Sequence, residues 1–249
     1  MVDGTFGAEA ASYDTVVVIG GGCYGSYYVR QLARARRAGK IRVDRITVVD
    51  RNAGCAVAND AVLRAECELV VSEWDEFLRG FLPRSHTSDA IVPSPLMPHL
   101  LYDWLLERAR KRWPERQVAT VPLQHPVATP WFRAGEGTSY ASYATWMCPV
   151  NCIEPRVCPH TRGPRDWTMP DALRDAVAAS AAGGEPLVGP VIFHCTHRAF
   201  GVGMIDARDV VGADALVAGL GEESAASVLV GTVSHCHGAL SVLHVGAPV

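Results

Sequence analysis

The stretch from Thr15 to Asp50 constrains the fold more than any other. An apolar, β-branched run (TVVVI, 15–19) leads into the glycine-rich turn GGGCYG (20–25). A segment with helical apolar spacing follows, in which Tyr28, Leu32 and Ala35 share one face and Gly39 supplies a stop. A second apolar run, IRVDRITVVD, ends on Asp50. The order is strand, tight turn, helix, strand in about 36 residues. Gly20 suits the sharp turn and Gly25 allows the helix to close onto the strand.

Gly20-x-Gly22-x-x-Gly25, with Asp50 at the end of the second strand, resembles the Rossmann NAD(P)/FAD-binding superfamily. The resemblance covers about 40 residues closely, and up to about 120 loosely. It implies that Gly22 lets the backbone approach a pyrophosphate and that the helix N-terminus faces the phosphates. Asp50 would then accept hydrogen bonds from ribose hydroxyls, which favours NAD or FAD over NADP, while the neighbouring Arg51 leaves that choice open. Further strands are expected at CELVV and DAIVPSP, with a helix at MPHLLYDWLLERARKRW. Ser72, Ser94 and His99 fall at strand ends, where a ligand would lie, or else they cap the following helices.

From Pro122 to Pro170 apolar periodicity stops, prolines recur, and Cys148, Cys152 and Cys158 cluster in the run MCPVNCIEPRVCPHTRGP. So long a stretch without regular structure needs something to hold it, and metal–thiolate bonds can replace a missing core. Prolines follow Cys148 and Cys158, as they follow ligand cysteines in cluster loops, and CPVNCIEP is locally similar to bacterial ferredoxin loops. The C-x2-C-x2-C spacing of those loops is absent, so a ferredoxin fold is not implied. The spacing fits an iron–sulfur cluster, with structural zinc, a redox dithiol and metal-free thiols as alternatives. A fourth ligand would be His160, Cys195 or Cys236; an open fourth position would leave an iron free for substrate. Arg162, Arg165 and Asp166 either line an anion site or are solvated loop charges.

The remainder is expected to be a smaller α+β lobe: a helix at DALRDAVAASAAGG ending at Gly183 and Gly184, then two long strands around a short helix. The strands carry His194-Cys195-x-His197 and His235-Cys236-His237 at their middles. Alternation would put Cys195 and His197 on one face, with His194 on the other, and His235 and His237 opposite Cys236. His194, His197, His235 and His237 are candidate proton donors, and Cys195 or Cys236 a candidate metal ligand. Cys23 and Cys55 read as packing thiols.

The expected architecture is therefore α/β: a Rossmann-like lobe (1–121), a proline- and cysteine-rich metal-binding loop (122–170) and a C-terminal α+β lobe (171–249). Hydrophobic residues at 49% and charged residues at 20% exclude a disordered chain, and a net charge of −3 without a basic stripe argues against nucleic acid. The N-terminal residues lack the basic start and apolar stretch of a secretion signal, no run approaches a membrane span, and a cytoplasmic location is expected. The function these features imply is an oxidoreductase binding NAD or FAD and carrying an iron–sulfur cluster that transfers electrons or binds a small substrate. Its partner would be that substrate or an electron-transfer protein, and a homo-oligomer is compatible. A non-catalytic NAD(H) or redox sensor and a zinc-stabilised nucleotide-binding subunit are the other readings.

Overall fold

Strands buried on both faces read as continuous apolar runs, and TVVVI is one. In the computed structural model, which describes residues 10–149, 152–182 and 186–248, that run ends β1 (Ala11–Ile19). Val16 and Val18 face helix α1 (Cys23–Arg37), while Val17 and Ile19 face the opposite side. β1 pairs in parallel with β2 (Ile41–Asp50) on one side and β4 (Ala90–Val92) on the other, and β2 pairs in parallel with β3 (Glu68–Val71). Two short helices, α2 (Ala61–Arg64) and α3 (Trp74–Phe81), and a 3-10 turn at Leu82–Arg84 complete this part.

The first sheet does not stop there. β10 (Val202–Asp206) adds antiparallel to β4, and β9 (Thr196–Ala199) adds antiparallel to β10, giving the order β3-β2-β1-β4-β10-β9. A second mixed sheet has the order β6-β7-β12-β11-β8, from β6 (Trp131–Arg133), β7 (Ser139–Ser142), β12 (His237–Val245), β11 (Ala226–Val233) and β8 (Leu187–His194). β5 (Val118–Val121) pairs with the C-terminal half of β12. The chain is thus mixed α/β with two mixed sheets; the first draws strands from both ends of the sequence, the second only from residues 118–245.

Helices α4 (Leu100–Arg112) and α6 (Ala207–Gly221) pack against each other between the two sheets. Their apolar faces join Val17, Ile19 and Val49 of the first sheet to Phe193, Val228 and Leu243 of the second in the largest core cluster. Leu105 at its centre is fully buried, so truncation to Ala would cost about 2–5 kcal/mol. Helix α5 (Met169–Ser180) covers the far face of the second sheet, through Met169 and Leu173. Its expected end at Gly183 and Gly184 lies outside the described residues. No helix among the described residues is long and apolar enough to cross a membrane.

Both long C-terminal strands expected from the sequence are broken at their histidine–cysteine motifs. The first ends at His194; Cys195 donates its N–H to Val233 O (2.7 Å), and the chain then crosses to the other sheet as β9. The second is a hairpin, with His235 and Cys236 at its tip and Ser234 N donating to His237 O at 2.8 Å. Strand alternation therefore does not govern which of these side chains share a face. The cause is packing: one strand serves two sheets, and the tip is held by a carboxylate from elsewhere in the chain.

Candidate functional site

Three of the four glycines in the turn sit in three different environments. Gly20 has φ +91°, the left-handed region that a tight turn needs. A Cβ on Gly25 would collide with the backbone carbonyl of Gly20, so the helix closes onto the turn only because Gly25 has no side chain. Gly22, by contrast, faces open space, with no heavy atom within 4 Å of a Cβ built there. Gly22 also caps α1 without a side-chain partner, and no acidic residue occupies the helix's first turn. Asp50 sits at the end of β2, its Oδ2 accepting from Gly21 N (2.7 Å) and its Oδ1 from Asn52 N (2.8 Å), while Arg51 is exposed. Cys55 is buried against Gly21, as a packing thiol should be; Cys23 is exposed in the first turn of α1, which corrects its reading as packing.

A cavity of about 570 Å³ opens at the carboxyl end of β4. Tyr28 of α1 and Ser94 line it on one side; Cys195, Thr232, Ser234 and His237 line it from the hairpin and the sheet crossover. Ser94 therefore lines the cavity and also accepts from Leu96 N at 3.3 Å. His99 is buried at the start of α4, its Nδ1 2.9 Å from Thr232 Oγ1 and its ring stacked on Tyr102. Burial pushes its pKa down to about 3, so it is neutral. Ser72 only bonds the carbonyl of Glu73, outside the cavity. A larger cavity of about 820 Å³ lies elsewhere, among Leu123, Leu187 and Val242, and includes no glycine-turn residue and no cysteine.

His237 lines the smaller cavity. Its Nδ1 lies 2.9 Å from Ser142 Oγ, which also accepts from Ala144 N and donates to Ala144 O. With the serine proton directed at that carbonyl, the matching tautomer carries its proton on Nδ1 and leaves Nε2 as the acceptor. Burial lowers the His237 pKa, keeping the ring neutral.

The residue that gathers the histidine–cysteine motifs is one the sequence did not reveal. Glu154, two positions after Cys152, accepts from Ser234 Oγ (2.7 Å), His235 N (2.9 Å) and Cys236 N (3.1 Å). His197 Nδ1 lies 3.6 Å from the same carboxylate. Burial alone would raise the Glu154 pKa, but His197, Ser234 and the tip N–H groups overcome it and hold it at about 2. His194, on which burial acts most strongly, is also within reach of this charge, and its pKa is lowered. Cys195 packs on Gly203, where a Cβ would lie 2.6 Å from its sulfur, and burial pushes its pKa up to about 12. The only local hint of Glu154's role is the proline that follows it. Its partners lie some eighty residues away, at positions no periodicity connects.

The cysteine loop is irregular, with chain reversals at Glu154 (φ +50°) and Arg162 (φ +57°). The segment after Cys158 wraps back on it: Arg162 N donates to Cys158 O (2.8 Å) and Cys158 N to Gly163 O (3.0 Å). Backbone N–H groups of Thr161 and then His160 face its sulfur and lower its pKa. Cys148 is raised, first by burial and then by the charges of Cys152 and Cys158. His160 instead stacks on Trp146, and Asp166 is exposed. All eight cysteines are free thiols.

Among the described residues, no three His, Cys, Asp or Glu side chains converge as a single metal ion requires. That arrangement does not suit a compact zinc site, whose four ligands crowd one ion at ~2.0–2.3 Å. A polynuclear cluster spreads its cysteine sulfurs over the width of an inorganic core, and the surroundings here suit one. The Nε1 atoms of Trp146 and Trp167 and the Nε of Arg165 are buried without an oxygen or nitrogen partner. Trp146 lies by the sulfur of Cys148, and Trp167 and Arg165 by that of Cys236. Buried donors left unpaired cost about 1–3 kcal/mol each, and anionic sulfur would accept from them.

Searches of curated proteins and of solved structures found no match to this chain. A family model, AF_1314_C, described as "Uncharacterized protein, C-terminal domain", matches residues 101–246, a span that holds the cysteine loop, Glu154 and both histidine–cysteine motifs. The chain belongs to the AF_1314_C family.

Proposed function

We propose that this chain is an oxidoreductase that binds NAD or FAD on the glycine turn and carries an iron–sulfur cluster held by Cys148, Cys152 and Cys158. The observation that carries the reading is the cavity of about 570 Å³, which has Tyr28 of α1 and Ser94, just past β4, on one wall and His237, Ser234 and Cys195 on the other. Four parallel strands in the order 3-2-1-4 support it, since ligands of such sheets sit outside the carboxyl ends of the strands. The open space over Gly22 supports it further, because a pyrophosphate needs close backbone approach there. Asp50 keeps acceptor capacity beyond its two backbone bonds for ribose hydroxyls.

Within the cavity, Tyr28 and Ser94 would orient a small substrate, and neutral His237 would take or return its proton through Nε2. A cluster in the cysteine loop would supply one-electron transfer. Free thiols throughout fit a reducing compartment, so we place the protein in the cytoplasm.

The test is equilibrium titration of the wild type and Gly22→Val with NADH and with FAD. A Cβ there meets no heavy atom within 4 Å, and the side chain would stand where the pyrophosphate is proposed to lie. Wild type should bind one of the two, and the variant should fold normally but bind about a hundredfold more weakly, about 2.8 kcal/mol. Equal affinities, or no binding of either dinucleotide by wild type, would overturn the reading.

A further inference from the structure

We infer that Cys236, at the tip of the β11–β12 hairpin, is the fourth cysteine of the cluster site, and that Trp146, Trp167 and Arg165 donate hydrogen bonds to its sulfurs. The inference rests on the cluster reading above and decides which residue closes the coordination.

Cys236 and Cys195 were equal candidates by sequence, and the fold separates them. Cys236 is tied to the cysteine loop on both sides of its backbone. Its N–H donates to Glu154 Oε1 at 3.1 Å, two residues from Cys152. Its carbonyl accepts from Tyr143 N at 2.9 Å, and the Tyr143 ring stacks on Trp167, with centroids 5.6 Å apart. Cys195 instead packs on Gly203 of the first sheet and lines the cavity. His160, the remaining candidate, is exposed and stacks on Trp146 at 4.2 Å.

The three orphaned donors mark the same place. Arg165 reaches across the loop, with Nη1 donating to Pro155 O and its backbone N to Arg156 O (2.8 Å). Its Nε and the Nε1 atoms of the two tryptophans have no oxygen or nitrogen partner and face the sulfurs of Cys148 and Cys236 instead. Three such donors beside Cys148 and Cys236 form a lining for anionic sulfur. Hydrogen bonds to cluster sulfurs stabilise the more negative, reduced state and so raise its potential. Four cysteine ligands also leave no open iron. The cluster would then carry single electrons and would not bind substrate, which places the proton chemistry with His237 in the cavity.

The experiment is anaerobic reconstitution of the full chain with iron and sulfide, followed by iron and sulfide analysis, electron paramagnetic resonance and a redox titration. Wild type, Cys236→Ser, Cys195→Ser and Trp167→Phe are compared, with circular dichroism as the fold check. The inference expects four irons per chain in wild type and Cys195→Ser. It expects loss of one iron, or of the whole cluster, in folded Cys236→Ser. Trp167→Phe keeps the ring and loses only the N–H, and should shift the midpoint potential to a more negative value. A four-iron cluster in Cys236→Ser with the wild-type spectrum and potential would overturn the assignment while leaving the cluster reading standing. A wild type that takes up no iron would instead sink the cluster reading, and this inference with it. If Cys236→Ser fails to fold, an unchanged potential in Trp167→Phe counts against the inference.

Discussion

At the glycine turn, position is set by backbone against backbone: α1 closes on Gly20 because Gly25 offers nothing to collide with. At the cysteine loop, position is set by one carboxylate, that of Glu154, gathering donors from a hairpin tip some eighty residues on. The first arrangement is local and steric and rests on a sheet with apolar cores on both faces. The second is long-range and polar, and the apolar cluster beneath it is smaller. Steric sites fail abruptly when an atom is added, whereas polar ties fail by degrees, with pH and with the partner removed.

The largest expected effect is at Gly25. Gly25→Ala should lower stability by more than about 3 kcal/mol or prevent folding, since the new methyl meets backbone that cannot move aside. Gly22→Ala, three residues earlier in open space, should stay within about 0.5 kcal/mol of wild type. Urea denaturation of the pair checks this, and similar midpoints would mean that the turn is not sterically locked.

Next comes Glu154→Ala, which leaves a hydroxyl and two N–H groups at the hairpin tip without their acceptor and should cost about 2–4 kcal/mol. Glu154→Gln keeps an acceptor and should recover part of that loss. The sign with pH follows from the lowered pKa. With the folded value near 2 and an ordinary value of 4.5, the carboxylate's contribution is complete above about pH 4.5 and is lost as pH falls towards 2. Glu154→Gln should flatten the stability profile in that window; a profile parallel to wild type would remove Glu154 from its central place.

His99 should give a comparable effect, at higher pH. Its folded pKa near 3 lies below the ordinary 6.5, so the neutral ring contributes stability above about pH 6.5 that is lost as pH falls towards 3. His99→Phe keeps the stack on Tyr102 and should flatten stability between pH 6 and 4 by about 2–3 kcal/mol. An unchanged slope there would mean that the ring is not held neutral.

The contrast between the two regions also explains what the sequence disclosed. Strand, turn, helix and strand from Thr15 to Asp50 stand where the apolar periods put them, as does α4, because each rule involved acts within a few residues. The breaks at Cys195 and at His235–Cys236 were hidden, since apolar residues resume beyond each histidine–cysteine motif. What ends the first strand is the demand of a second sheet for β9, and what turns the second is the Glu154 carboxylate. Candidate residues were thus legible by type, while their grouping depended on contacts that no local pattern encodes. Cys236 apart from Cys195, and Glu154 at all, required the fold.

The smallest effect separates conformational strain from collision within the glycine unit itself. Gly39, just past α1, has φ +64° but no heavy atom within 4 Å of a Cβ built there. Any side chain therefore fits, and only the left-handed backbone opposes it. Gly39→Ala should cost about 1 kcal/mol, and Gly39→Asn less, because asparagine tolerates that region better than other L-residues. Thermal melts of both variants beside Gly25→Ala would rank the three. If Gly39→Ala proved as damaging as Gly25→Ala, backbone conformation rather than close packing would be what fixes this unit, and the steric account of the glycine turn would have to be given up.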